Sequence, residues 1–296
     1  MKKITILSGK GGVGKSSITA SLAVLLSVEK NIIVADCDVD APNLALVLGV
    51  TKFQSSEKIQ TSEKAVIDYK KCSSCKKCFN NCYFNAIEWK NNKPIINTML
   101  CEGCGVCQIV CPNNAIKLIK VENAEIGYAK TKYGFNIVSG QLKIGESGSG
   151  KVVSYVKTKA AEIGKKENAE IMLVDAAAGI GCPVIASVTG SDYIIAVTEP
   201  TPSALSDLQR ALEMVKHFRI PVGIVINRYD INKEFTKKIE EFASKQNIKI
   251  LEKIPYNKNF VNALVNLTPI IVYDKSKVKI FQNIISNIPL QKEGGR

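Results

Sequence analysis

The run Gly9-Lys10-Gly11-Gly12-Val13-Gly14-Lys15-Ser16 leaves this chain few ways to fold. It fits Gly-x4-Gly-Lys-Ser, a loop whose backbone amides wrap phosphate groups and which works between a strand and the start of a helix. Both flanks are present. Lys2 to Leu7 alternates and is β-branched, and Ser16 to Val28 carries Ile18, Leu22, Leu25 and Leu26 at helical spacing. Asn31 to Ala35 then runs almost wholly apolar, as a parallel strand covered on both faces does. This βαβ unit predicts an α/β fold of the P-loop NTPase type, a parallel sheet with helices on both faces.

A triphosphate needs many donors and a close backbone approach, which glycines and a helix start provide. Gly9, Lys10, Gly11, Gly12, Val13, Gly14, Lys15, Ser16 and Ser17 are therefore the candidate ATP-binding residues. Lys15 is expected at the β- and γ-phosphates and Ser16 on Mg2+. Ile171 to Val174 reads as a buried strand ending in Asp175, followed by Ala176-Ala177-Ala178-Gly179. A strand-end aspartate can hold magnesium through water, and Gly179 can offer its N–H to a γ-phosphate. Gly9-x-Gly11-x2-Gly14 with Asp36 further on also fits a dinucleotide fingerprint. Lys15-Ser16 directly after the last glycine favours the triphosphate. Gly145-x4-Gly150-Lys151 imitates a second loop, but Val152 stands where a hydroxyl is required, so it reads as a turn and helix start.

Eight cysteines form two copies of C-x2-C-x2-C-x3-C, at Cys72, Cys75, Cys78, Cys82 and at Cys101, Cys104, Cys107, Cys111. The flanks repeat too: Asn85-Ala86-Ile87 follows the first run and Asn114-Ala115-Ile116 the second. Thiolates are soft, charged ligands suited to iron–sulfur clusters. In two-cluster ferredoxins the fourth cysteine of each run serves the other cluster. One [4Fe–4S] cluster is thus expected on Cys72, Cys75, Cys78 and Cys111, and a second on Cys82, Cys101, Cys104 and Cys107. Zinc is the metal alternative; the interleaved repeat and short spacing favour iron. Cys111 keeps the usual following proline, whereas Cys82 is followed by Tyr83.

The cysteines lie in an insertion after the second strand. Residues 51–64 are polar and read as a linker, and residues 60–120 are expected to form a small α+β ferredoxin-like domain of the bacterial two-cluster kind. Residues 1–59 and 121–296 then form one discontinuous ATPase domain. In it Phe135 to Val138, Tyr193 to Thr198 and Gly223 to Ile226 read as strands, and Gly150 to Gly164, Ser203 to Phe218 and Asn232 to Gln246 as helices.

No run of ~18 apolar residues predicts a membrane span. Met1 to Ile6 does not read as a secretory signal, and ten cysteines without one suggest reduced, metal-binding thiols and a cytoplasmic location. The formal charge is +13, spread over scattered lysines and not gathered in a stripe. That pattern argues against nucleic acid and suits an acidic partner or a generally basic surface.

Lys10-Gly11-Gly12-Val13-Gly14-Lys15-Ser16 resembles the deviant Walker A loop of the MinD/ParA/Mrp ATPases, whose mark is the extra lysine, here Lys10. Asp36-x-Asp38, Asp175-x3-Gly179 and Asn227-Arg228 extend the likeness, and with the cysteine insert the whole chain is similar to members that contain a ferredoxin domain. The resemblance implies a nucleotide-sandwich homodimer in which Lys10 reaches the partner's phosphates. It implies that Asp38 orients or deprotonates the attacking water, joining Ser16 and Asp175 around Mg2+, and that Asn227 bonds the adenine edge. Pro255-Tyr256-Asn257 would line the base pocket.

The function this implies is ATP hydrolysis, slow without a partner, that gates electron transfer through two clusters to a redox protein. The alternatives are a cluster carrier that serves apo-acceptors, and a redox-sensing module. Val278 to Ile288 has weak amphipathic spacing and is expected to pack on the core. Cys37 reads as a small buried residue, Cys182 as a switch-adjacent thiol and His217 as a filler on a helix.

Overall fold

A computed structural model describes residues 1–289. In chain order its elements begin with β1 (Lys2–Ser8), α1 (Lys15–Leu26), β2 (Ile32–Cys37), α2 (Leu44–Val47), β3 (Ser55–Ile59) and β4 (Ser62–Ile67). There follow α3 (Lys77–Asn80), β5 (Ile87–Lys90), β6 (Lys93–Ile96), α4 (Val106–Ile109), β7 (Ile116–Val121), β8 (Ala124–Lys130) and β9 (Asn136–Leu142). Next come α5 (Ser149–Lys166), β10 (Ile171–Ala178), α6 (Cys182–Val188), β11 (Tyr193–Thr198), α7 (Pro202–His217) and β12 (Val222–Asn227). The last are α8 (Lys233–Lys245), β13 (Lys249–Ile254), α9 (Asn259–Val265), α10 (Ile270–Tyr273) and α11 (Val278–Ser286).

The chain divides into two compact units. Among the described residues the larger comprises 1–56, 126–141 and 149–289. Its sheet runs β13-β12-β11-β1-β10-β2-β9, parallel throughout, with β8 and β3 at the far edge. Successive side chains of a strand point to opposite faces, and here both faces are covered. Ile4 and Ile6 of β1 join Ile195 and Val197 of β11 beneath Ile18, Leu22, Phe281 and Ile284. Leu7, Ile194 and Ala196 join the other core with Val184, Leu208 and Ile239. α11 therefore packs on the core through Phe281, as its spacing predicts. No described helix is long and apolar enough to cross a membrane.

The smaller unit comprises residues 57–125 and 142–148. It is wider than the 60–120 span read from the sequence and takes in a returning segment. Asn123 explains the return: its carbonyl accepts from the Lys143 amide at 2.9 Å, and its side chain donates to the Ser147 carbonyl at 2.9 Å. The unit has two antiparallel pairs, β4 with β7 and β5 with β6. The strand before the first cysteine run thus pairs with the strand after the second.

Two expectations need correction. Residues 51–64 are not a linker, because β3 and the start of β4 fall there. β3, Ser-Ser-Glu-Lys-Ile, buries only Ile59, since as an edge strand it has no second neighbour to demand apolar residues. The interruption also does not follow β2 directly, because α2 and β3 intervene.

Candidate functional site

The parallel strands bring their carboxyl ends to one edge, where α/β sheets hold ligands. β1 runs into the glycine loop there. Asp36 of β2 stands in register with Asp175 of β10, and Ile6 of β1 flanks Asp175 on the other side. β12 delivers Asn227, and Pro255-Tyr256-Asn257 follow β13. A cleft of about 500 Å3 opens over this edge, a size usual for small-molecule sites. Gly11, Gly12, Gly14, Lys15, Ser16 and Ser17 line one end, and Asp38 and Asn227 face it as well. Tyr256, Phe260 and Leu264 make the other end apolar.

Two of the loop's glycines, Gly9 and Gly14, are dictated by their neighbours. A Cβ on Gly14, whose φ is +96°, would stand 2.5 Å from Asn227 Nδ2. A Cβ on Gly9 would stand 2.3 Å from the Asp207 backbone. Gly9, Lys10 and Val13 shape the loop without lining the cleft, and Val13 is buried. Asn227 is itself buried and braces the loop, donating from Nδ2 to the Val13 carbonyl at 2.8 Å while its Oδ1 accepts from the Arg228 amide. Sequence reasoning missed this bracing, because it joins residues far apart in the chain.

Charge is concentrated beneath the loop. Lys15 Nζ lies 2.9 Å from Asp175 Oδ2 and 3.8 Å from Asp38 Oδ2. Asp175 also accepts from Ser16 Oγ and from Thr19 Oγ1, each at 2.7 Å. Asp36 is wholly buried and accepts from the Leu44 amide and Ser139 Oγ, both at 3.2 Å. Burial, with Asp175 adding to it, pushes the Asp36 carboxyl up to about 7. Burial raises Asp38 as well, against the lowering effect of Lys15. Thr19 was not among the expected site residues, and Asp36 entered only through the dinucleotide alternative and the Asp36-x-Asp38 motif.

Lys10 lies apart from the cleft. Its Nζ is 3.5 Å from Glu199 Oε1 and 3.3 Å from Ser203 Oγ, and Glu199 also holds Arg228 at 2.9 Å. Gly179 departs from its expected part: its N–H donates to the Ser8 carbonyl at 2.9 Å. With φ at +99° it turns the chain after β10, and meeting a phosphate requires that bond to open. Cys37 is buried and its thiol is raised by burial, Cys182 is exposed, and His217 lies exposed at the end of α7.

In the smaller unit Cys72, Cys75, Cys78 and Cys111 line one small cavity, and Cys82, Cys101, Cys104 and Cys107 another. Backbone amides are aimed at sulfur: Ala86 N at Cys82 Sγ and Ala115 N at Cys111 Sγ, both 3.3 Å, and Ala65 N at Cys101 Sγ, 3.5 Å. Such N–H groups stabilise thiolates. Among the described residues no three His, Cys, Asp or Glu side chains are gathered closely enough to hold a metal ion. Four thiols spaced around a cavity suit a body with several metal corners, so this donor set fits an iron–sulfur cluster.

A sequence model for the CobQ/CobB/MinD/ParA nucleotide binding domain matches residues 4–270. An uncharacterized Methanocaldococcus jannaschii protein is 42% identical over 232 residues, 78% of this chain and 79% of its own. The iron-sulfur cluster carrier protein of the same organism is 23% identical over 307 residues, covering 99% of this chain and 85% of its own. The septum site-determining protein MinD of Pyrococcus horikoshii, complexed with Mg-ADP, superposes with a TM-score of 0.58 at 18% identity, covering 96% of this chain and 93% of that one.

Proposed function

The chain belongs to the CobQ/CobB/MinD/ParA nucleotide-binding family, and from that premise we propose that it is an ATPase that carries iron–sulfur clusters to acceptor proteins. Hydrolysis of a nucleoside triphosphate is the activity its family supports. ATP would lie along the cleft, with adenine at the apolar end near Tyr256 and the phosphates in the Gly9–Ser17 loop. Lys15 would move from Asp175 to the β- and γ-phosphates. Ser16, Asp175 and Asp38 would surround Mg2+, and Asp38 would orient the attacking water. Lys10 of a second copy would complete the site across a homodimer.

The observation that carries the iron–sulfur part is the lining of the two cavities. Each combines three thiols of one run with the fourth of the other. That supports [4Fe–4S] clusters on Cys72, Cys75, Cys78 and Cys111 and on Cys82, Cys101, Cys104 and Cys107, in a ferredoxin-like insert. Relatives named as cluster carriers, similar along nearly the full chain, favour carriage. The test is anaerobic reconstitution, iron and sulfide counting, and transfer to an apo-acceptor with and without ATP. ATP-dependent transfer is expected.

A second reading, nucleotide-gated electron transfer, is favoured by the interleaving itself. A cluster held by cysteines of both runs leaves only if both runs let go. Clusters that stay bound through prolonged challenge with apo-acceptor, together with ATP-dependent reduction of an electron acceptor, would establish this reading over the first.

A further inference from the structure

The two cysteine cavities differ in what surrounds them, and the difference points outward. Each has one exposed thiol, Cys75 at the first and Cys104 at the second. Lys76 lines the first, and Lys70, Lys71, Lys77 and Lys93, close to its lining residues in the chain, are exposed as Lys76 is. The second is lined by Phe84, Glu102, Val106 and Leu118, with no lysine.

Two of these lysines have their ammonium groups placed by an aromatic ring. Lys76 Nζ stands 5.3 Å from the centre of the Trp89 ring, and Trp89 lines the cavity. Lys93 Nζ stands 5.8 Å from the Tyr69 ring, whose hydroxyl donates to the Pro94 carbonyl at 3.0 Å. Asn113 Nδ2 donates to the Lys71 carbonyl at 3.0 Å, fixing the backbone just before Cys72. Of the nearby carboxylates, Glu88 pairs with Lys90, and Asp68, which accepts from the Lys70 amide, keeps one negative charge against the five lysines. Among the described residues these five lysines keep their charge free of ion pairs.

We propose that the face around Cys75 is a docking surface for an acidic protein, and that this end of the smaller unit is where it meets its acceptor. The inference deepens the iron–sulfur reading above and rests on it. A thiolate-bound cluster is negatively charged and repels an acidic surface. Lys76 in the cavity lining and four more exposed lysines close to it in the chain oppose that charge and steer such a surface to the nearest thiol. A nucleic-acid partner fits less well. The span 57–125 contains no arginine, the side chain best shaped for phosphate. An ammonium group covers one face of each of the Trp89 and Tyr69 rings, leaving less ring open to stack bases.

The test uses the full, anaerobically reconstituted chain and an oligoglutamate peptide, coupled with a carbodiimide and mapped by mass spectrometry. Coupling should concentrate on Lys70, Lys71, Lys76, Lys77 and Lys93. Two double variants, Lys76→Glu/Lys77→Glu and Lys70→Glu/Lys93→Glu, should each weaken binding about tenfold at low salt, and added salt should weaken the unmodified chain similarly. The control Lys237→Glu/Lys245→Glu on α8 should leave affinity unchanged. Coupling spread over lysines in proportion to exposure, or tighter binding of oligouridylate than of oligoglutamate, would overturn the docking surface. Iron and sulfide counts on the same samples report on the clusters separately. Absent iron would overturn the cluster reading whatever the coupling map, and a dispersed map on fully loaded protein would overturn the docking surface alone.

Discussion

Lys15 and Asp175 form an ion pair of 2.9 Å, Nζ to Oδ2, at which the side chains are 7% and 1% exposed. The ammonium expected to receive phosphate therefore rests on the carboxylate expected to receive magnesium. Binding of Mg-ATP would separate the two, giving each a new partner of opposite charge.

Asp175→Asn tests that exchange. It removes the negative charge that supports magnesium and releases Lys15. ATP hydrolysis should fall about 100-fold, while magnesium-free ATP should bind at least as tightly as before. Steady-state hydrolysis and calorimetric titration in EDTA read the two effects separately.

Asn227→Ala should loosen the glycine loop. The change leaves the Val13 carbonyl and the Arg228 amide without their side-chain partner. An unsatisfied buried group costs about 1–3 kcal/mol, so urea unfolding should show a loss of that order together with weaker ATP binding. Unchanged stability with weakened binding would instead assign Asn227 to the adenine alone.

Lys10→Ala should spare the monomer. Its contact with Glu199 is long and partly exposed, and such pairs contribute about 0–1 kcal/mol. If Lys10 completes the site of a second copy, hydrolysis should nevertheless fall by about 10³-fold. Mixing Lys10→Ala with a variant defective only in its own loop should restore part of the activity.

Asp36 gives a pH signature. Its carboxyl rises to about 7 in the fold, whereas an unfolded aspartate titrates near about 4. Between those values the folded state holds a proton that the unfolded state has released. Stability should therefore decline as pH rises from about 4 to 7 and level off above. Asp36→Asn should flatten the decline. Thermal melts of nucleotide-free protein in EDTA across that range provide the check.

The crossed ligand sets predict crossed losses. Cys111→Ser should perturb the cluster built on Cys72, Cys75 and Cys78, and Cys82→Ser the one built on Cys101, Cys104 and Cys107. Electron paramagnetic resonance of the singly reduced variants, alongside Cys72→Ser and Cys101→Ser, should pair Cys111 with Cys72 and Cys82 with Cys101. The opposite pairing would refute the interleaving.

Much of this architecture was legible because its signals are local. The glycine loop announces β1 and α1, and continuous apolar runs announce β2, β10, β11 and β12. Edge elements were not legible. β3 has no apolar alternation, and α6 is only seven residues long. The site divided the same way. Lys15, Ser16 and Asp175 sit in readable motifs, whereas the Asn227 brace and the Lys10–Glu199–Arg228 group join residues that only the folded sheet edge brings together. Gly179 carried the right backbone freedom, but its hydrogen bond to Ser8 is a property of how β1 and β10 end side by side.

In the smaller unit Ser62 lies opposite Val121 at the outer end of the β4–β7 pair. The cysteine-bearing stretch thus begins and ends on neighbouring strands, about 5 Å apart. Its base is closed by a ladder of its own, yet residues 142–148 come back to the same unit through Asn123. Excision or grafting therefore has to take two pieces of chain, 57–125 and 142–148.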